Sequence, residues 1–244
     1  MASTKNVLVT GVSQGLGLAI VRTLLASEWT VYGVSRRRTP ELDELDASYP
    51  GRLHFQSFDL AETDRARTAL FAEFLPGGLR LDGFVNNAAM AYDDLVTNLD
   101  VMALQRMYAV NVFTPMVITK YFIRNLLLHR APGAIVHISS ISVHTGYKGL
   151  TLYASTKGAI EAFSKNTARE WGERGVRSNC VVAGFMETAM SGSLSPDQKS
   201  RIHQRTALKR PTDVDSVAAT VRFLLGEESR SVTGQNVFVD SGTI

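Results

Sequence analysis

An apolar run, Val7-Leu8-Val9, passes through Thr10 into the stretch TGVSQGLG at residues 10–17. Gly11, Gly15 and Gly17 fall inside it, and an apolar helical stretch, GLGLAIVRTLLASE (15–28), follows without a break. Few folds use such a junction. A buried strand that ends in a glycine turn and opens at once into a helix is the first half of a strand–helix–strand crossover. Glycines permit positive φ and let a backbone or a ligand approach closely. The first turn of the helix offers free backbone N–H groups, a ready site for an anion such as a pyrophosphate. The same glycines also serve a tight turn that binds nothing, so the loop by itself speaks to fold before function.

The rest of the chain repeats the unit. Strands are expected at 6–10, 30–35, 52–58, 81–87, 134–140, 176–183 and 236–240. Helices are expected at 15–28, 41–49, 62–75, 100–109, 112–130 with a kink near Pro115, 152–174 and 213–225. This alternation predicts an α/β, Rossmann-type doubly wound parallel sheet of about seven strands, helices on both faces, in a single domain over 1–244. Ligands then bind beyond the carboxyl ends of the strands, where the strand order reverses. The segment 186–212 is polar and breaks the pattern, as a lid or binding loop does. Met186, Met190 and Leu194 are its apolar residues best placed to touch a ligand, and Arg201 to Arg210 is basic.

Bulk properties exclude several classes. The lone cysteine, Cys180, lies in an apolar run, so no internal disulfide forms and a core position is expected. A net charge of +3 is too mild to imply nucleic acid. No apolar stretch is expected to reach the roughly 18 residues of a membrane helix. A first strand starting near Asn6 leaves no room for a leader, so a cytoplasmic protein is expected. The five histidines (54, 129, 137, 144, 203) show no paired ligand spacing, so no metal is expected.

Two stretches carry chemistry. YASTK places Tyr153 and Lys157 one helical turn apart on one face. An ammonium beside a phenol favours the phenolate, so the tyrosine pKa is expected to fall toward the range where it can donate and recover a proton. Ser140 ends the fifth strand, where its hydroxyl can hydrogen-bond a substrate carbonyl. A surface Tyr–Lys pair has the same spacing, and it is Ser140, Asn111 and the glycine loop that turn the reading toward a reaction. The second strand ends Val34-Ser35-Arg36-Arg37-Arg38, with no acid until Glu41. An acid there would hold the ribose 2′-OH of NAD. A guanidinium instead forks onto a 2′-phosphate, so NADP(H) is expected, with Arg36 the first contact and Ser35 or Arg37 assisting. A solvated basic turn before Pro40 is the other account of these arginines.

These motifs together resemble the short-chain dehydrogenase/reductase family, and the resemblance runs through the whole chain. It rests on T-G-x-x-x-G-x-G at 10–17, Asp59-Leu60, NNAA at 86–89, Asn111, and the series Ser140, Tyr153, Lys157. It implies that Gly11, Ser13, Gln14, Gly15, Leu16 and Gly17 cradle the cofactor. Asp59 and Leu60 then meet its adenine, with Asn87, Ala88, Met186 and Thr188 nearer the nicotinamide end. It implies that Tyr153 is the general acid for ketone reduction and Ser140 polarises the carbonyl. Lys157 lowers the tyrosine pKa and holds the ribose hydroxyls, and Asn111 supports a water leading from Lys157. Gln14 supplies no second basic contact to a phosphate. Ala89, Ala183 and Ser241 stand where the family has Gly, Pro and Gly.

Within the family, GFMETAM (184–190) and TAREWGERGVRSN (167–179) are most similar to β-ketoacyl-acyl-carrier-protein reductases. Arg174 matches a position those enzymes turn to the carrier protein, and Arg130 is adjacent to a second. A helix C-terminal cation is the plainer account of Arg174. The substrate is therefore expected to be a carrier-bound or small-molecule ketone. A free ketone, sugar or polyketide remains open, as does a non-catalytic cofactor-sensing or scaffold protein on this fold. The resemblance also implies a homotetramer, or a dimer, through helices 101–129 and 152–174, which carry Leu126, Leu127, Leu128 and Trp171.

Overall fold

The computed structural model describes residues 4–188 and 195–244. One sheet is built from β1 (Asn6–Thr10), β2 (Thr30–Ser35), β3 (Leu53–Ser57), β4 (Gly83–Asn86), β5 (Gly133–Ser140), β6 (Val176–Ala183) and β7 (Asn236–Val239). Every pairing is parallel, in the order β3-β2-β1-β4-β5-β6-β7. The α-helices are α1 (Gly15–Ala26), α2 (Pro40–Ser48), α3 (Val101–Tyr108), α4 (Thr114–His129), α5 (Ser142–Thr145), α6 (Thr151–Trp171), α7 (Pro196–Arg205) and α8 (Val214–Leu225).

Side chains alternate across the strands, so neighbouring residues feed two cores. Val7, Val9, Val31, Val136 and Val181 pack on one face with Ile20 and Leu24 of α1 and Val217 and Val221 of α8. Leu8, Phe84 and Ile135 pack on the other with Leu70, Ile118, Phe122 and Leu126. Burial on both faces makes the central strands continuous apolar runs, which is why β1, β2 and β6 were readable to the residue. The strand order reverses between β1 and β4. The glycine loop and Asn87 meet at the carboxyl ends of these two strands, the place where such sheets bind ligands.

Besides the short α5, which was not expected, three helical regions differ from expectation. The stretch expected as a helix at 62–75 is a 3-10 turn, Thr63–Arg65, followed by a π-type helix, Arg67–Phe74. Between α3 and α4 the chain does not stop. It widens into a π-type turn, Ala109–Phe113, so that Val101–His129 is one helical run. Pro115 explains the position: it has no N–H to give the carbonyl of Asn111 four residues back. That run is 29 residues, and its best window has a mean hydropathy of 1.2, so by length and composition it could cross a bilayer. This corrects the expectation that no stretch is so apolar. Ile118, Phe122 and Leu126 use that apolarity in the core beneath the sheet.

The third region is the polar segment 186–212, which contains α7. Ser195 accepts from the Gln198 N–H at 3.3 Å while Gln198 accepts from the Ser195 N–H at 2.8 Å, a reciprocal cap with Pro196 in the first turn. Met190 and Leu194 lie outside the described residues. Of the apolar residues expected to face a symmetry mate, Leu126 is buried and Trp171 packs on the core, while Leu127 and Leu128 are exposed.

Candidate active site

The glycine loop is held from two sides. Gly11 adopts φ +75° and donates its N–H to Val34 at 2.7 Å. The Asn87 side-chain amide donates to the carbonyls of Thr10 and Gly11, both at 3.0 Å. The Thr10 hydroxyl accepts the N–H groups of Asn87 and Ala88, both at 3.2 Å. Asn87 and Ala88 therefore fasten the end of β4 to the loop. Gly17 lies so close to the Gly11 carbonyl that a Cβ would stand 1.9 Å from its oxygen. Gln14 precedes α1 without a side-chain cap, and the first turn, with Leu16, holds no acid. These open N–H groups suit a phosphate group. Ser13 accepts the Thr39 hydroxyl through its carbonyl at 3.1 Å. A Cβ on Gly15 would be 3.5 Å from the Thr188 methyl, so Thr188 flanks the same loop. Met186 packs against the apolar core on the α1 side.

At the end of β2 the three arginines divide. Arg38 is engaged, with Asp43 at 2.5 Å and Asp46 at 2.7 Å. Arg36 and Arg37 are exposed. Arg36 lines a cleft of about 340 Å³ together with Gln56, Ser57, Asp59 and Arg65. Ser35 is buried and donates its hydroxyl to the Arg37 carbonyl at 2.9 Å, so it shapes the turn instead of facing the cleft. Burial acts to raise the Asp59 pKa. The Ala61 N–H, Arg106 at 2.7 Å and the nearby Arg36 charge outweigh it and hold the carboxyl below its usual range. Leu60 is buried in the core, and its carbonyl accepts the Thr114 hydroxyl at 2.7 Å.

At the carboxyl end of β5, Ser140 meets α6. The Ser140 hydroxyl oxygen accepts from the Ser142 hydroxyl at 3.0 Å and the Ser142 N–H at 3.2 Å, which leaves its own proton to donate. Lys157 is 3 % exposed and donates to the Ile138 carbonyl at 2.7 Å, with its ammonium 5.6 Å from the Tyr153 ring centre. Burial pulls the Lys157 pKa down to about 8, against a small opposing effect of Cys180. Burial likewise pushes Tyr153 up to about 12; Asp93 adds to this and a hydrogen bond with Ser140 opposes it. The tyrosine pKa is thus raised, not lowered as the spacing alone suggested. One-turn spacing aligns the pair, but the lysine ammonium is turned to a strand carbonyl, and burial sets the direction of the shift. Asn111, in the π-type turn, accepts the Met90 N–H at 2.8 Å and donates to the Met90 carbonyl at 2.8 Å and to Thr156 at 3.0 Å. It fixes the loop after β4 against α6.

A family model described as Enoyl-(Acyl carrier protein) reductase matches residues 11–243. The chain belongs to the short-chain dehydrogenase/reductase family. It is an oxidoreductase of that family. The 3-oxoacyl-(acyl-carrier-protein) reductase FabG of Chlamydia pneumoniae is 30% identical over 240 residues, 98% of this chain and 96% of that protein. L-xylulose reductase of Bos taurus is 32% identical over 241 residues, 98% of this chain and 96% of that protein. The solved structure of ElxO with NADP bound superposes with a TM-score of 0.88 at 27% identity, covering 99% of both chains.

Against the family pattern, Ala89 is harmless to the backbone, because it is not among the left-handed residues. Ser241 does take φ +57°, where a side chain is strained, and its hydroxyl donates to the Pro211 carbonyl at 3.2 Å. Ala183 closes β6, and at Gly184 a Cβ would stand 2.2 Å from the Thr212 hydroxyl. Arg130 and Arg174 immediately precede β5 and β6. They lie at the amino ends of the strands, opposite Ser140. The exposed Arg201, Arg205, Lys209 and Arg210 belong to the Ser140 end, since Ala207 and Leu208 bond Gly242 and Ser241 just beyond β7. Asp93 and Arg106 escaped the sequence reading; isolated charges in a loop and on a helix give no spacing signal.

Proposed function

We propose that this protein reduces a ketone to a secondary alcohol with NADPH, and that the ketone is a 3-oxoacyl group on an acyl carrier protein. The observation that carries the reduction is the meeting of the Tyr153 phenol with Ser140 at the carboxyl end of β5, one helical turn from Lys157 on α6. Only a protonated group can act as the acid toward a carbonyl oxygen that gains charge. Ser140, whose own oxygen is held by Ser142, turns its proton from Tyr153 to the carbonyl oxygen when a ketone is present and orients it. Lys157, one turn from Tyr153 and bonded to the Ile138 carbonyl, would swing its ammonium to the phenolate left by the proton transfer and return a proton, its own then being replaced from solvent. Bound NADPH supplies the hydride.

The residues fit NADPH. The uncapped start of α1 takes the pyrophosphate, and Arg36 takes the 2′-phosphate beside the cleft with Asp59. The NADP-bound ElxO, similar over 99% of the chain, supports the same assignment. The carrier protein is supported by the likeness to FabG and by the basic face of α7 at the site's own end of the sheet, which suits an acidic partner. Because Arg130 and Arg174 lie at the far end, α7 replaces them in this reading. The likeness to L-xylulose reductase favours a second substrate class, a free sugar ketone. Exposed Leu127, Leu128, Phe113 and Met102 support self-assembly as a tetramer of D2 symmetry or a dimer through the same helices, and a monomer by light scattering at micromolar concentration would refute it.

Turnover on acetoacetyl carrier protein against a panel of free ketones decides the substrate. The carrier-bound ketone should be preferred, and its kcat/KM should fall steeply with salt because exposed charge steering is screened. Equal salt responses for carrier-bound and free substrates would remove the carrier protein from the account.

A further inference from the structure

The inner face of α6 carries a third polar residue one turn beyond Lys157. Tyr153, Lys157 and Glu161 are spaced i, i+4 and i+8, and they meet consecutive residues of β5. Tyr153 meets Ser140 and Lys157 takes the Ile138 carbonyl. Between them, the Ser139 hydroxyl donates to Glu161. Glu161 is only 8 % exposed. A carboxylate so placed is costly unless its oxygens are well bonded.

Here they are bonded from two further elements of the fold. His144 Nε2 of α5 lies 3.1 Å from both carboxylate oxygens. The Asn236 amide of β7 donates to Glu161 Oε2 at 2.7 Å. The His144 ring packs edge-on against Phe238 of β7 with centres 4.9 Å apart. Glu161 thus grips the residue before Ser140 and a residue four beyond it. Between those grips lie Ser140 and Ser142, the pair whose hydrogen bonds orient the catalytic hydroxyl.

We propose that Glu161 is a positioning residue for the reduction: it fixes the β5–α5 corner so that Ser140 stays aligned with Tyr153. The proposal rests on the ketone-reductase reading above. Glu161 reaches neither the glycine loop nor the Arg36 cleft, so cofactor binding is independent of it. Losing the grip lets the Ser140 hydroxyl drift relative to the phenol, and a misplacement of about 1 Å at reacting groups lowers rate by up to roughly a hundredfold.

The test compares wild type, Glu161→Gln, Glu161→Ala and His144→Ala on any ketone the wild type reduces. Each is measured for kcat, for the Kd of NADPH and for melting temperature. Glu161→Gln keeps one acceptor oxygen and should lose about tenfold in kcat, Glu161→Ala more, and His144→Ala a few-fold, all with NADPH affinity unchanged. A purely structural role would lower the melting temperature and leave kcat per folded molecule intact. If the Glu161 variants do not fold, His144→Ala decides alone, because that side chain is partly exposed and its loss leaves the Ser139 and Asn236 bonds. Wild-type kcat in the folded variants overturns the proposal and spares the reductase reading. A wild type that reduces no ketone overturns both.

Discussion

Replacing Gly17 by alanine tests how the cofactor loop is built. The added Cβ would stand 1.9 Å from the Gly11 carbonyl oxygen, 2.6 Å from Asn87 Nδ2 and 2.8 Å from the Gly11 carbonyl carbon. A carbon needs roughly 3.4 Å from an oxygen, so the loop and α1 must separate by about 1.5 Å. Backbone cannot rotate aside as a side chain can. The separation breaks the Gly11–Val34 and Asn87 bonds or draws α1 off β1, a cost of about 1–3 kcal/mol. The better helix propensity of alanine offsets at most about 1 kcal/mol of this. Displaced N–H groups also lose charge-assisted bonds to a pyrophosphate, worth about 1.5–3 kcal/mol, or roughly ten- to a hundredfold in affinity. Fluorescence titration with NADPH and thermal unfolding read the two effects separately. Gly77→Ala is the control, because nothing lies within 4 Å of its Cβ position and its φ is ordinary. If Gly17→Ala bound NADPH as the wild type does and melted at the same temperature, the close-approach argument would be wrong.

Arg36→Ala should weaken NADPH about ten- to a hundredfold and leave NADH unchanged, measured as the ratio of the two Kd values. Equal use of both cofactors by the wild type would remove Arg36 from the site. Lys157 gives a pH signature. Its pKa is about 8 in the fold against 10.5 unperturbed, so its burdening of the folded state is complete below pH 8. As pH rises from 8 toward 10.5 the folded protein releases the proton while the unfolded chain keeps it, and stability increases. Urea unfolding should show wild type gaining on Lys157→Met across pH 8 to 10, up to roughly 3 kcal/mol over the whole window. A constant difference would mean that the lysine is not buried as described.

Sheet and site order were legible because both are written in local patterns. Val7-Leu8-Val9 and Cys180-Val181-Val182 are buried on two faces, and TGVSQGLG and YASTK have fixed spacings. What was not legible depends on partners far away in sequence. The direction of the Tyr153 shift needed its burial and the Asp93 charge. The role of Asn87 needed the carbonyls of Thr10 and Gly11, 77 and 76 residues away. The π-type turn at Ala109–Phe113 was half legible, since Pro115 marks the break but not that the helix widens instead of stopping. α7 was legible in principle from Ser195-Pro196-Asp197-Gln198, but polar composition masked the cap.

The central claim is that Tyr153 gives its proton to a ketone. Tyr153→Phe removes one oxygen and keeps the ring that packs against the Lys157 side chain. Steady-state NADPH oxidation with the best ketone substrate should fall about a hundred- to ten-thousandfold in kcat, while the Kd of NADPH stays within about twofold of wild type. Turnover by Tyr153→Phe at a rate near that of the wild type would contradict the account.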